Sequence, residues 1–271
     1  MKISVVIPAY NHSKYLLEAI NSAQNSIGCE TEIIVVNDGS TDDSESVALS
    51  FPNVRYFAQV NQGAHSAINF GVKSASNQLI AILNDDDIYS PEYLQDAIKT
   101  KVFTGADIVA TSPTLLGFGP KMESQMRHRE EAERLIEESG IGASLFKINW
   151  FVSTSGLVFS KDFFNKVGGF QDLKLCHDLQ FVLSGISKEG FTLARNQGAT
   201  WYYRCHGFNS SSSISMRIGR QEILEVLMDA INYFGFSDLN STMIQKLIGH
   251  GISDEDIDHA LKLRNKLTHE L

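Results

Sequence analysis

The chain is 271 residues long, 43% apolar and carries a net charge of −9. That length and apolar share can bury the core of one α/β domain with an appendage. The negative balance opposes nonspecific binding to nucleic acid or anionic lipid, so no nucleic-acid partner is expected and a polyanionic ligand would need a local cation.

The first third repeats one pattern: a short β-branched run, a polar loop and a helix-compatible segment. Ile3 to Ile7 reads as a strand ended by Pro8, and it is too short for a signal-peptide core or a membrane span. No other window reaches spanning length, so the expected location is the cytoplasm, or the inner face of a membrane as a peripheral protein. Ser13 to Ser26 reads as a helix with Tyr15, Leu16, Ala19, Ile20 and Ala23 on one side. Ile33 to Val36 is a second strand running into Asn37-Asp38-Gly39-Ser40-Thr41-Asp42-Asp43, dense in cap and turn formers, then a helix to about Ser50. Val54 to Ala58, then Gly63 to Ser74, give a third strand and helix. Leu79 to Leu83 is a fourth strand, with Pro91 placed to begin the helix after it. Such alternation predicts a mostly parallel sheet flanked by helices.

Further on, Asp107 to Thr111 reads as a strand, Pro113 to Pro120 as a loop and Lys121 to Ser139 as a charged, solvated helix. Leu157 to Ser160 is strand, Gly168-Gly169 a tight turn, Asp178 to about Lys188 a helix and Thr200 to Cys205 an aromatic-rich strand. The serine run Ser210 to Ser213 reads as a hydroxyl-lined loop. Helices are expected over about 217–234, 241–250 and 253–271. The stripe Ile223, Leu224, Leu227, Ile231 and Phe234 is expected to pack on the α/β body or on a second copy of the chain. The division is therefore residues 1–215 as the α/β domain and 216–271 as a C-terminal helical extension. Cys29, Cys176 and Cys205 have no paired spacing and read as free thiols.

Chemistry concentrates at Leu83-Asn84-Asp85-Asp86-Asp87. Three adjacent carboxylates follow directly on a buried-type strand, at the end of the sheet where α/β ligands bind. A solvated acidic turn is one reading. A divalent cation relieving their repulsion is the other, and oxygen ligands suit Mg2+ or Mn2+ better than Zn2+. Asp38, at another strand end, can accept the imide N–H of uracil, thymine or guanine; a helix cap is the competing role for Asp38, Ser40 or Asp42. Asp178 at a helix start is either a cap or, with its pKa raised by desolvation, a general base. No Gly-x-Gly-x-x-Gly follows the first strand and no P-loop occurs, so a nucleotide would bind in another way.

Taken together, Val5-Val6-Ile7-Pro8-Ala9-Tyr10-Asn11, Val36 to Asp42, Asn61-Gln62-Gly63 with Ala67 and Asn69, and Leu83 to Asp87 strongly resemble family 2 glycosyltransferases, which are inverting enzymes of the GT-A fold. The resemblance continues more weakly through Gly168-Gly169-Phe170, His177-Asp178 and Tyr203-Arg204-Cys205-His206, covering about residues 3–210. It implies a single GT-A domain that binds a nucleoside-diphosphate sugar, UDP-sugar preferred, and moves one sugar to an acceptor hydroxyl. The setting would be polysaccharide, lipid-linked glycan or glycoconjugate synthesis.

By the same resemblance Pro8, Ala9, Tyr10, Asn11, Asp38, Asn61 and Gly63 hold the nucleotide. The acidic motif serves ribose and metal: either Asn84 stands in for the usual Asp, or Asp85 to Asp87 is the working unit. Asp86 is the direct ligand for Mn2+ or Mg2+ under both, with Asp87 and His206 as further ligands and Arg204 near the diphosphate. Asp178 is the general base, His177 standing where members carry Glu. The Gln-x-x-Arg-Trp signature of processive members is absent. Two other classes compete: a sugar nucleotidyltransferase, which would normally carry a Gly-rich basic loop after the first strand, and an inactive nucleotide-sugar-binding module that docks partners through its C-terminal helices.

Overall fold

A computed structural model describes residues 1–188, 190–206 and 216–233. Its centre is a seven-stranded sheet in the order β3-β2-β1-β4-β8-β6-β9. The strands are β1 (Lys2–Ala9), β2 (Glu30–Asn37), β3 (Val54–Ala58), β4 (Leu79–Ile82), β6 (Ile108–Thr111), β8 (Leu157–Ser160) and β9 (Leu193–Asn196). Only β8 runs against the rest, pairing antiparallel with both β4 and β6. A second, three-stranded sheet, β5-β10-β7, joins β5 (Ile88–Tyr89), β10 (Trp201–Cys205) and β7 (Thr114–Gly117).

The period-2 alternation of β1 decides how the layers assemble. Ile3, Val5 and Ile7 face one side, where α1 (Ser13–Gln24) and α4 (Tyr93–Thr104) pack with Leu16, Ile20, Tyr93 and Leu94 fully buried. Val6 faces the other, against α3 (Ala64–Ser74). There α3 lies so close that a Cβ added to Gly71 would stand 2.3 Å from Val6 Cγ1, so only glycine fits. The same layer continues through α6 (Lys161–Val167), α7 (His177–Lys188) and α8 (Met216–Tyr233), around Phe181, which stacks on Phe170 and meets Phe159 and Phe163 edge to face. Each such side chain removed from water contributes on the order of 1.5–3 kcal/mol.

Several expectations change. Pro8 does not end β1: the strand pairs with β2 through Ala9, and Asp38 N–H donates to Ala9 O. Pro8 then faces the β4 side, where pairing stops at Val6, so its missing N–H breaks no ladder bond. β7 lies inside the segment expected to be loop, and β5, β9 and α6 were not anticipated. The charged helix α5 (Pro120–Ser144) runs past Ser139, with its helical geometry broken at Gly140, φ 81°. Leu224 and Leu227 are buried in the core that α8 shares with α7, so this part of the stripe packs on the α/β body. The Ser210–Ser213 loop, Phe234 and the helices expected over 241–250 and 253–271 fall outside the described residues, as does the Ile231 side chain. Cys29, Cys176 and Cys205 are free thiols. Among the described residues, no helix is long and apolar enough to cross a membrane.

Candidate functional site

A cleft of about 840 Å3 opens beyond the carboxyl ends of β1, β2 and β4. Its wall is made by Pro8 to Lys14, Asp38, Asp42, the 61–65 turn, Asn84 to Asp86, Val152 to Thr154, Leu173 to Leu175, His177, Asp178 and Tyr203. Asp38, Asp86 and Asp178, from three segments far apart in sequence, therefore face one space.

The loops at one end are tied to one another. Asn11, in left-handed backbone at φ 55°, donates its N–H to Ser40 Oγ (3.0 Å) and accepts from Thr41 N–H (2.8 Å). Asp42 accepts the N–H of Ser13 at the start of α1 and that of Ser44 at the start of α2 (Ser44–Leu49), so Asp42 is the residue that serves helix starts here. Burial opposes ionisation of Asp42, but hydrogen bonds from Ser44 and Ser13 outweigh it and hold the carboxyl below its usual range.

Asp38 is 3% exposed and accepts three internal hydrogen bonds: Gln59 Nε2 (2.7 Å) and Gln62 N–H (2.9 Å) on Oδ1, and Gly63 N–H (2.8 Å) on Oδ2. A carboxylate offers about four acceptor sites, so roughly one remains for a ligand. Gly63, at φ 94°, supplies the turn that aims its N–H at Asp38. Pro8, Ala9, Tyr10 and Asn61 line the same end.

The acidic triplet divides into three environments. Asp85, 6% exposed, accepts Tyr10 N–H on Oδ2 (2.8 Å) and lies 2.9 Å from His12 Nδ1 through Oδ1. Burial pushes the Asp85 carboxyl up, the His12 hydrogen bond opposes this, and the Asp86 charge adds to it. The bond to Asp85 raises the His12 imidazole above its usual value against the lowering effect of burial. Asp86 faces the cleft, and its Oδ2 lies 2.9 Å from Nε2 of His206, which stands behind Asp86 and is not itself part of the cleft wall.

Asp87, 1% exposed, turns the other way. Its oxygens accept Ser155 Oγ–H (2.6 Å) and Arg204 N–H (3.2 Å), and burial followed by the Asp86 charge drives its carboxyl well up. It does not line the cleft. In the place expected for Asp87 beside Asp86 and His206 stands His12: ligand atoms of His12, Asp86 and His206 lie within 4.8 Å of one another, a set able to hold a divalent cation. Asn84 borders the cleft, but its amide donates to Ser153 Oγ (2.8 Å) and accepts from Thr154 Oγ1 (2.9 Å), tying the fourth strand's end to β8's entry. Arg204 is also placed differently from expectation. Its guanidinium pairs with Glu18 (2.8 Å), donates to Asp86 O (3.0 Å) and lies 4.6 Å from the Tyr15 ring centre, outside the cleft wall.

Asp178 sits in the first turn of α7, 4% exposed, accepting Leu179 N–H (2.7 Å) and Asn149 Nδ2 (2.9 Å). Desolvation raises its carboxyl above the usual range, although neighbouring His177 and both hydrogen bonds pull the other way. Burial keeps the His177 imidazole below its usual value.

The segment before α7 is held by α8: Glu222 accepts Lys174 N–H (2.6 Å), Leu175 N–H (2.8 Å) and Cys176 N–H (3.2 Å). Sequence reasoning passed over both His12 and Glu222. The available signals were a histidine directly after the Pro8-Ala9-Tyr10-Asn11 turn and a carboxylate directly before the apolar stripe that begins at Ile223.

The family model described as glycosyl transferase family 2 matches residues 4–168. An uncharacterised glycosyltransferase of Nostoc sp. is 30% identical over 234 residues, covering 82% of this chain and 70% of that protein. Chondroitin synthase of Escherichia coli is 35% identical over 97 residues, 34% of this chain and 14% of its own length. Not all relatives are spanned so fully: the chain covers 56% of an uncharacterised glycosyltransferase of Rickettsia typhi. Among solved structures, S. aureus TarS 1–349 in complex with UDP-GlcNAc superposes with a TM-score of 0.67 at 19% identity, over 91% of this chain and 70% of that one. Mannosyltransferase PcManGT from Pyrobaculum calidifontis, in complex with GDP-Man and Mn2+, gives 0.61 at 15% identity, over 85% and 64%. These two likenesses share the GT-A type of fold.

Proposed function

The chain belongs to glycosyl transferase family 2, and from that premise we propose that it transfers a single sugar from a UDP-sugar to an acceptor hydroxyl with inversion. The observation that carries this reading is the convergence of Asp38, Asp86 and Asp178 on one cleft. Asp38 accepts the base imide N–H at its remaining acceptor site, while Pro8, Ala9, Tyr10, Asn11, Asn61 and Gly63 form the nucleoside end. UDP-GlcNAc in TarS supports a uridine donor, and GDP-Man in PcManGT shows that the same fold admits guanine.

Asp178 takes the proton of the acceptor hydroxyl as that oxygen attacks the anomeric carbon and the nucleoside diphosphate leaves. Its burial matters here, because a carboxyl pushed above its ordinary pKa is a stronger base, and Asn149 fixes its direction. Mn2+ or Mg2+, held by Asp86 and His206, would when bound neutralise charge on the departing diphosphate. The acceptor is proposed to be a glycan or lipid-linked glycan hydroxyl, approaching past Leu173 to Leu175.

Diphosphate release from a panel of UDP-, dTDP- and GDP-sugars, with and without Mn2+ and with simple sugar acceptors, tests the proposal. Release from one donor that depends on added acceptor supports it. Tight nucleotide binding with no release under any acceptor would instead indicate a binding module.

A further inference from the structure

We propose that His12 is a protein ligand of the cleft's divalent cation, set in place by Asp85, and that the resulting two-imidazole, one-carboxylate site selects a transition metal over Mg2+. The inference deepens the reading of the cleft as a donor site. It rests on that reading for what the ion does there, but not for whether the ion binds.

Three observations carry it. Ligand atoms of His12, Asp86 and His206 fall within 4.8 Å of one another, a spacing one cation can draw together. His12 Nδ1 lies 2.9 Å from Asp85 Oδ1. In the neutral tautomer that donates Nδ1–H to Asp85, the Nε2 lone pair is left to ligate. A carboxylate behind a histidine is the arrangement by which metal-ligating imidazoles are usually oriented. Asp85 is itself fixed, buried and accepting Tyr10 N–H at 2.8 Å. Finally, the two rings are packed rather than loose: His206 lies 5.5 Å from His12 and 5.0 Å from Tyr15, centre to centre.

This arrangement gives Asp85 a task other than binding ribose. It acts through His12 as a positioning residue. Two imidazole nitrogens with one carboxylate oxygen suit Mn2+, Co2+ or Zn2+, whereas Mg2+ prefers oxygen ligands throughout. Within the transition series, affinity should rise from Mn2+ to Co2+.

Electron spin-echo spectroscopy of Mn2+ bound to the full chain, without nucleotide, counts the nitrogen ligands directly. Two imidazole couplings are expected, falling to one in His12→Gln. One coupling or none in the unaltered protein overturns the proposal, as would displacement of Mn2+ by an equal concentration of Mg2+.

Mn2+ affinity measured by the loss of free-ion signal should weaken about 10- to 100-fold in Asp85→Asn, the range found when the group orienting a metal-bound histidine is removed. Unchanged affinity in both variants would refute the roles of His12 and Asp85 even if transfer activity changed. Conversely, a two-nitrogen Mn2+ site in a protein that releases no diphosphate from any donor would leave this proposal standing while the transferase reading failed.

Discussion

Replacing Glu222 with Gln tests whether α8 organises the proposed catalytic end of the cleft. The carboxylate takes three backbone N–H groups in succession, from Lys174, Leu175 and Cys176, and is 8% exposed. The amide keeps one oxygen. In its better orientation that oxygen still accepts from Leu175 and Cys176, while the NH2 group meets the Lys174 N–H donor to donor. Hydrogen bonds to a charged acceptor contribute roughly 1.5–3 kcal/mol and neutral ones roughly 0.5–1.5, so two weakened bonds and one lost give about 2–3 kcal/mol once water reaches the exposed Lys174 backbone. At about 2–4 °C per kcal/mol for a chain near this size, the melting temperature should fall by roughly 5–10 °C.

The catalytic consequence is separable from this stability loss. Leu173 to Leu175 line the cleft directly before the turn that carries Asp178. A displacement of about 1 Å there can cost up to roughly a hundredfold in turnover. Thermal unfolding and steady-state kinetics, run well below the melting point of the variant, should therefore show a lower melting temperature together with a lower kcat. The donor KM should stay unchanged, because the nucleoside end is tied to other loops. An unaltered melting temperature would refute the energetic argument. A lowered one with wild-type kcat would show that α8 braces the fold without setting the site.

Asp178→Asn should reduce kcat by at least about a hundredfold while leaving donor affinity intact, as measured by calorimetry; parallel loss of both would make Asp178 structural. The same variant should be more stable than the parent at neutral pH. A buried carboxyl with a raised pKa binds its proton more tightly folded than unfolded, so its contribution to stability falls as pH rises from the ordinary carboxylate value through the raised one. The stabilising effect of Asn should thus vanish below that window, and a difference in melting temperature independent of pH would refute the sign.

Glu32 behaves oppositely. Burial resists its ionisation, but hydrogen bonds from Ser4, Ser76 and Arg55 bring its pKa down to about 2. Its stabilisation is present above the ordinary glutamate value and lost as pH falls toward about 2. After discounting for solvent at this partly exposed position it amounts to ~1–2 kcal/mol. Acid titration of Glu32→Gln by circular dichroism should show a shallower loss of stability over that range.

The elements that carry the cleft were legible because each announces itself locally. The β-branched runs of β1, β2 and β4 end in polar turns, so Asp38 and Asp86 could be placed at strand ends before any contact was known. Asp178 was readable as the start of a helix, though not as the partner of Asn149. What stayed hidden depends on long-range pairing. His12 comes within reach of Asp86 from a distant segment, its ring meeting Asp85, 73 residues away. Asp87 and Arg204 carry the right chemistry for the site, but their orientation is set by Ser155 and Glu18, which no local pattern links to them. Likewise β5 and β7 are too short to show alternation and become strands by pairing with β10.

The cross-loop bonds also bear on how the protein acquires its cleft. Tyr10 reaches Asp85 across 75 residues, Asn11 reaches Ser40 and Ser13 reaches Asp42 across 29 each, and Gln62 reaches Asp38 across 24. None of these contacts can form within a single βα unit, so each waits for two neighbouring strands to pair and repay the entropy of closing the loop between them. Those of Asn11, Ser13 and Gln62 need only β1, β2 and the turn after β3. The Tyr10 bond to Asp85 needs β4 as well, so the nucleoside end is built from the first three strands and its acidic wall closes only when the fourth is in place.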